Sequence, residues 1–167
     1  MKKNSVKYMS MAGVFAAIVF VFTAYLHIPV HTGYVHMGDA FIYLAACILP
    51  LPYAISVGGL GALLADCLTG YALWAPGSVL IKVATVVCLS SKTSKIVCLR
   101  NIMGLIPTWL LCVGGYYLYE GLITGNFTSP LAGIPGNVIQ SLLSSIVFIL
   151  LGKALDKMNF HDRFLEQ

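Results

Sequence analysis

Residues 37–68, MGDAFIYLAACILPLPYAISVGGLGALLADCL, decide the fold class of this chain. The segment consists of two apolar runs separated by Pro50 and Pro52, and its only formal charges are Asp39 and Asp66. Proline lacks an amide hydrogen and disfavours helix in the residue before it, so the two prolines predict a tight hairpin of two helices. Apolar runs with so few charges are typical of membrane-embedded helices.

The composition of the whole chain agrees with this interpretation. Of the 167 residues, 59% are hydrophobic and 10% are charged, whereas a soluble domain carries roughly 25% charged residues. The chain therefore has too few charges to cover a surface in water, and its outer surface is predicted to face lipid. We expect a single integral membrane domain spanning residues 1–167.

Similar apolar runs continue along the chain. Together they predict an all-α membrane protein, a bundle of six transmembrane helices, with segments Tyr8–Leu26, Met37–Leu49, Tyr53–Leu68, Ser78–Ser90, Asn101–Tyr119 and Ile134–Leu151. The second, third and fourth segments are short for a full crossing of roughly 20 residues. Irregular backbone at membrane depth is tolerated where it lines a cavity, so the short segments indicate a pocket.

The basic residues predict the orientation of the bundle. Nine of the ten lie before the first segment, between the fourth and fifth, or after the sixth: Lys2, Lys3, Lys7, Lys92, Lys95, Arg100, Lys153, Lys157 and Arg163. Loops 27–36, 69–77 and 120–133 contain no Lys or Arg. Because cytoplasmic loops are enriched in Lys and Arg, both termini are predicted to be cytoplasmic and the pocket to face outside.

Polar residues within the predicted helices converge near the outer side. They are Asp39, Asp66, Lys82, Asn137 and Gln140, and the last two are three residues apart on one helical face. Ionisable groups in a membrane usually pair with each other or line a cavity. Two interpretations therefore remain open for Lys82, which either forms a buried ion pair with one aspartate or contacts a ligand.

Aromatic residues in the two outer loops are expected to cover this polar cluster. The candidates are Tyr34, His36, Tyr71 and Trp74, although Trp74 could equally belong to an interfacial aromatic belt. Glu120, at the end of the fifth segment, is either a member of the cluster or simply solvated. A small flat heterocycle would suit a pocket of aromatic walls and a few placed polar groups.

The chain offers little for metal or cofactor chemistry. His27, His31 and His36 are close in sequence, but Pro29 prevents the first two from sharing a helical face. We predict no metal site, no cofactor and no catalytic residue. The basic residues lie in short clusters at segment ends, so we predict no nucleic-acid binding. The chain contains no phosphate-binding G-x-x-x-x-G-K-[ST] motif, and ATP hydrolysis would require a partner.

Several of these residues belong to motifs that resemble a known family, the S components of energy-coupling-factor (ECF) vitamin transporters, in the riboflavin, hydroxymethylpyrimidine and pyridoxine branch. The motifs are Gly33-Tyr-Val-His-Met-Gly-Asp39, Gly58-Gly-Leu-Gly-Ala-Leu-Leu-Ala-Asp66, Thr69-Gly-Tyr-Ala-Leu-Trp-Ala-Pro76 and Ile81-Lys82. The resemblance covers roughly residues 5–90, and the remainder matches in length and hydropathy. It implies the high-affinity substrate-binding subunit of an ABC-type importer in a prokaryotic plasma membrane.

The resemblance also implies particular partners and ligand contacts. A transmembrane scaffold subunit and two cytoplasmic ATPases would drive uptake of a vitamin-like ligand such as pyridoxine, hydroxymethylpyrimidine, riboflavin or a queuine-like base. Small residues on the first helix would dock the scaffold, with Ala12 and Ala16 matching that pattern and Gly13 and Ala17 as the second choice. The outer loops would cover the pocket, and Asp66 is expected to support Lys82 or a loop instead of contacting ligand.

Other functions, including a purely structural membrane protein, agree with parts of the sequence. An intramembrane aspartyl protease would use Asp39 and Asp66 as a catalytic pair, but His36 replaces the first glycine of the G-x-G-D motif and the chain is short for that fold. A small secondary transporter for a polar metabolite is the stronger alternative, although such carriers usually show repeated halves and no repeat is found. The prediction is therefore a binding protein and not an enzyme.

Overall fold

The computed structural model describes residues 2–30, 33–93 and 95–160. This part of the chain folds into six α-helices, one β-hairpin and a short 3-10 helix. The helices are α1 (Lys2–Ala24), α2 (Gly38–Ile48), α3 (Leu51–Leu68), α4 (Ala75–Val87), α5 (Leu99–Thr124) and α6 (Ile134–Lys157). The strands are β1 (His27–Val30) and β2 (Gly33–His36), and the 3-10 helix covers Ser129–Gly133.

Each predicted apolar segment coincides with one α-helix, but the helix ends differ. α1 begins six residues before the predicted Tyr8, and α5 continues to Thr124 beyond the predicted Tyr119. Hydropathy marks only the apolar part of a helix, whereas the backbone continues through polar residues at either end. The prediction of a purely helical chain was also incomplete, because the first outer loop forms the β1–β2 hairpin.

The hairpin follows from its local sequence. Pro29 lies in β1 and does not continue the preceding helix, and β-branched Ile28 and Val35 favour extended backbone. The strands are antiparallel, with His27 opposite His36 and Ile28 opposite Val35. This register carries the chain back over the start of α2.

Four helices, α1, α3, α5 and α6, are long and apolar enough to cross a membrane. By contrast, α2 has 11 residues and α4 has 13, which at 1.5 Å per residue gives about 16 and 20 Å. Both are shorter than the hydrocarbon core of about 30 Å. The two short helices leave space at one end of the bundle, which we call the pocket end, where α2, α4 and α6 begin.

Helix α2 forms the centre of the bundle. Ten of its eleven residues are buried, and the fully buried Tyr43 packs edge-on against Phe148 of α6 with ring centroids 6.0 Å apart. Pro50 caps α3 only two residues after α2 ends at Ile48, which confirms the predicted helical hairpin. A central helix of this kind holds the residues of its first turn at a fixed position.

Glycines on α3 allow α1 and α4 to approach closely on either side. A Cβ on Gly61 would lie 2.6 Å from Cγ1 of Val19 in α1, and one on Gly58 would lie 3.2 Å from the carbonyl oxygen of Lys82 in α4. The predicted small-residue face of α3 is therefore used in internal packing.

The end opposite the pocket, which we call the base, is closed by two polar side chains, one half-buried and one fully buried. Asp156 of α6 accepts hydrogen bonds from the backbone N–H groups of Ile96 and Val97, at 2.8 and 2.9 Å. Asn101 is fully buried, and its amide bonds both backbone groups of Ser90 and the carbonyl oxygen of Ile96. These bonds satisfy the backbone of the loop between α4 and α5.

Candidate functional site

A pocket opens at the pocket end, beneath the β-hairpin and the loop between α3 and α4. All eight residues predicted to contact ligand line it: Tyr34, His36, Asp39, Tyr71, Trp74, Lys82, Asn137 and Gln140. Asp66 and Glu120 line it as well. The short helices supply the floor, while the longer α3, α5 and α6 supply the walls.

A buried ion pair forms the floor of the pocket. Nζ of Lys82, in the second turn of α4, lies 2.7 Å from Oδ1 and 2.9 Å from Oδ2 of Asp39, in the first turn of α2. The two side chains are 4% and 2% exposed, so little water reaches them. Of the two aspartates considered as partners of Lys82, the ion pair thus uses Asp39 and not Asp66.

Gln140 connects the ion pair to the hairpin. Its Nε2 donates to Oδ2 of Asp39 at 3.0 Å, and its Oε1 accepts the backbone N–H of His36 at 3.3 Å. One amide of α6 therefore contacts the floor of the pocket and the last residue of β2. Any displacement of the hairpin would disturb the same side chain that bonds Asp39.

His36 is held as a neutral imidazole. Its Nδ1 accepts the backbone N–H of Gly38 at 3.1 Å and lies 3.4 Å from the hydroxyl of Thr23. Burial lowers the pKa of His36 to about 4, against the opposing attraction of Asp39. At neutral pH this side chain therefore contributes hydrogen bonds but no charge to the pocket.

Asp66 ties the hairpin to α3. Its Oδ1 accepts a hydrogen bond of 3.1 Å from the hydroxyl of Tyr34 in β2, in line with a role in supporting the loop. Burial and the neighbouring carboxylate raise the pKa of Tyr34, so the phenol stays a hydrogen-bond donor. Asp66 itself is 5% exposed.

A chain of aromatic rings crosses the mouth of the pocket. Tyr34 lies 4.7 Å from His27 and 5.0 Å from Tyr71, and Tyr71 lies 5.9 Å from Trp74, measured between ring centroids. Trp74 lines the pocket instead of standing alone at a membrane interface. These rings come from both outer loops and form a cover with π-faces and edges turned toward one another.

The sequence prediction did not include Tyr116 and Ser78 among the site residues. The ring of Tyr116 in α5 lies 5.2 Å from Nζ of Lys82, and its hydroxyl donates to Ser78 at 3.0 Å. Both residues line the pocket. Tyr116 precedes Glu120 by four residues, so the two share a helical face, and that spacing was the available signal.

The arrangement of side chains suits binding. Among the described residues, no group of three or more His, Cys, Asp or Glu side chains is placed to hold a metal ion. His27 and His36 pair across the hairpin, and His31, the third histidine considered, lies outside the described residues. The pocket combines aromatic cover, a buried ion pair and amide groups, which are features of small-molecule binding sites.

The predicted docking pair on α1 is mostly buried within the bundle. Ala12 and Ala16 are only 7% and 8% exposed, because they face the interior against α2 and α3. The next pair along the helix, Gly13 and Ala17, is exposed, and no atom lies within 4 Å of a Cβ built on Gly13. A one-residue shift rotates a helical position by about 100°, which accounts for the difference.

The comparisons with known proteins agree with the fold. The family described as "ECF-type riboflavin transporter, S component" matches residues 3–157. The solved S component of a bacterial ECF transporter is similar to this chain with a TM-score of 0.68 and 22% identity, covering 95% of this chain and 98% of the other. No curated protein matches the sequence.

The fold is that of the membrane-embedded S components. The chain belongs to the family of ECF-type riboflavin transporter S components, which matches almost its whole length. The family resemblance seen in the sequence is thereby confirmed. The protein is a component of a membrane transporter, and its family is not one of enzymes.

Proposed function

We propose that this protein is the high-affinity binding subunit of an ECF importer, and that it captures a vitamin or vitamin-like heterocycle from outside the cell. The observation that carries the proposal is the convergence of eight predicted polar and aromatic contacts on one pocket. A buried Lys–Asp pair and a glutamine line its floor. Such groups fix the orientation of a ligand, and the apolar remainder of the pocket supplies binding energy.

The proposed orientation follows the distribution of basic residues. Six membrane crossings with both termini in the cytoplasm would place the pocket end outside and the Asp156–Asn101 base inside. α2 and α4 then cross the membrane region only together with the loops that follow or precede them. A prokaryotic plasma membrane is the corresponding location.

Energy for uptake would come from partner subunits. A transmembrane scaffold and two cytoplasmic ATPases would bind this chain, as the family membership suggests, and the exposed Gly13 and Ala17 of α1 are the proposed docking pair. Small residues four apart allow two helix backbones to approach closely. Substitution of either by leucine would obstruct docking without reaching the pocket.

A thermal-shift screen tests ligand binding. Purified protein in detergent is heated with riboflavin, pyridoxine, hydroxymethylpyrimidine, queuine and structurally unrelated metabolites. A ligand present at 100 times its Kd stabilises the native state by about 2.7 kcal/mol, so a tight ligand raises Tm clearly. Trp74→Ala and Lys82→Ala should both weaken the response. Unchanged affinity in both variants would contradict the assignment of this pocket.

Co-purification tests the docking pair. Gly13→Leu and Ala17→Leu should reduce recovery of the scaffold and ATPases on the tagged protein, while the ligand affinity of the isolated subunit stays unchanged. Leu110→Phe, a substitution on the exposed face of α5 where Leu110 is 70% exposed, is the matched control. Equal recovery in all three variants would remove the α1 surface from the proposal.

A further inference from the structure

The charges that line the pocket do not cancel. Asp39, Asp66 and Glu120 are acidic, and Lys82 is the single Lys or Arg among the described lining residues. His36 is neutral, and the tyrosine hydroxyls carry no charge at physiological pH. With Lys82 paired to Asp39, two carboxylates remain without a cation, and the formal charge of the lining residues is −2.

One of these carboxylates is buried and only partly bonded. Oδ1 of Asp66 accepts from Tyr34, whereas Oδ2 has no hydrogen-bond partner among the described residues. The hydroxyl of Ser78 lies beside this carboxylate, but one hydroxyl does not neutralise a charge. The ammonium of Lys82 is occupied by both oxygens of Asp39.

A buried anionic oxygen without a partner is costly, and a ligand that donates to it recovers that cost. The exposed fraction of Asp66 is only 5%. The residue lies in the wall of the pocket, where it bonds the hydroxyl of Tyr34. The aromatic faces of Tyr34, Tyr71 and Trp74 also favour positive charge through their quadrupoles. The carboxylate and the aromatic rings therefore both favour a ligand with a positively charged hydrogen-bond donor.

We infer that the ligand is a heterocycle bearing an amino group or a protonated nitrogen, which donates to Oδ2 of Asp66. This inference rests on the proposed binding function and names the class of substrate for the same pocket. A ligand with a phosphate or carboxylate would place a third unpaired anion beside Asp66 and Glu120. Anionic vitamins and phosphorylated forms are accordingly poor ligands.

Matched pairs of compounds measure the contribution of the amino group to binding affinity. Pyridoxamine and pyridoxine differ in one aminomethyl for one hydroxymethyl group, and 4-amino-5-hydroxymethyl-2-methylpyrimidine is paired with its 4-hydroxy analogue. Riboflavin represents a neutral vitamin without an amine, and pyridoxal 5′-phosphate and nicotinate represent anions. Titration calorimetry of the purified protein should give a Kd at least ~10-fold lower for the amino member of a pair, as expected for a charge-assisted hydrogen bond.

Asp66→Asn tests the residue with little change of shape. The amide oxygen still accepts from Tyr34, while an NH₂ group replaces the free oxygen. The amino ligand should lose at least ~10-fold in affinity and its advantage over the hydroxy analogue should disappear. Glu120→Gln removes an equal charge from the half-exposed wall and should change affinity less, because water screens that site.

The outcomes separate this inference from the proposed function. Tighter binding of riboflavin or of an anionic compound than of every amine would overturn the inference and leave the binding-subunit function standing. An unchanged ratio of affinities in Asp66→Asn would also overturn it. Absence of binding by every compound in both panels would count against the proposed function and the inference together.

Discussion

Lys82 and Asp39 show how a residue pair can be costly to bury and still indispensable once present. Both side chains are almost fully enclosed, with exposed fractions of 4% and 2%. Removing one partner leaves a buried charge whose desolvation is no longer offset. The floor of the pocket therefore depends on the contacts of 2.7 and 2.9 Å between Lys82 and Asp39.

Lys82→Met should lower the free energy of unfolding by about 3–5 kcal/mol, because Asp39 would stay buried without its cation. The double variant Asp39→Asn/Lys82→Met removes both charges and should regain most of that loss. Chemical unfolding in detergent, followed by tryptophan fluorescence, measures both variants. A double variant no more stable than the single one would show that the pair is not the origin of the effect.

His36 gives the protein a defined dependence on acid. Its folded pKa of about 4 lies below the ordinary value of 6.5, so the unfolded chain binds a proton more readily between these values. Stability should therefore fall as pH is lowered from about 6.5 to about 4, by up to about 3 kcal/mol at 1.36 kcal/mol per pKa unit. Below pH 4 this contribution is fully lost.

The control for that prediction is His36→Asn, whose side-chain oxygen can accept the N–H of Gly38 in place of Nδ1. Melting temperatures of both proteins between pH 7 and pH 4 test the assignment. The variant should show a flatter profile, since the remaining carboxylates are common to both proteins. Parallel profiles would assign the acid dependence to groups other than His36.

At the scale of helices, α3 is arranged around its glycines. Gly61 faces α1, whereas Gly58 and Gly59 both face α4, Gly58 at closer range. The sequence already indicated that this face is nearly bare, but it did not show which glycine meets which helix. Helical periodicity gives the angular position of a residue and not the identity of the neighbour packed against it.

Gly61→Ala should destabilise the protein by about 1–3 kcal/mol, because its Cβ would approach Val19 to 2.6 Å and overpack the α1–α3 interface. Gly59→Ala is the matched control, since its Cβ would meet Val83 at an ordinary 3.6 Å. Alanine is the better helix former by about 1 kcal/mol, so this control should be neutral or stabilising. Equal changes in the free energy of unfolding would contradict the packing argument.

The elements also show what the sequence could and could not predict. Hydropathy located all six helices, and the outer clustering of Asp39, Lys82 and Gln140 located the pocket, because intramembrane polar residues have few other uses. The pairing of Lys82 with Asp39 instead of Asp66 depends on distances between helices that no local pattern contains. The exposed side of α1 likewise depends on where α2 and α3 pack.

For the whole molecule, the outer surface and the ends have different chemistry. Large apolar side chains are exposed along α5 and α6, including Leu110, Leu118 and Leu150 at 70%, 56% and 64%, as expected for helices surrounded by lipid. Charged and polar groups concentrate at the pocket end and the base. This division supports a bundle embedded in a membrane, whereas the proposed orientation follows from the basic residues.

Fusions to reporter proteins test that orientation. Green fluorescent protein attached after Gln167 should fluoresce, because the C-terminus is proposed to be cytoplasmic. Alkaline phosphatase attached after Asn126, which follows α5, should be active because that site is proposed to lie outside. The reciprocal fusions are the controls and should be inactive. The opposite pattern would reverse the proposed orientation and place the pocket toward the cytoplasm.

The shortness of α2 and α4 determines which segments form the cover of the pocket. The space for a ligand exists because these helices stop early, and the hairpin and the 69–77 loop occupy the length that further turns would have filled. The cover is thus built from short connecting segments, while the long α1 faces lipid on the side proposed for partner contact. Insertions or substitutions in the cover should therefore alter ligand selectivity without changing the packing of the long helices.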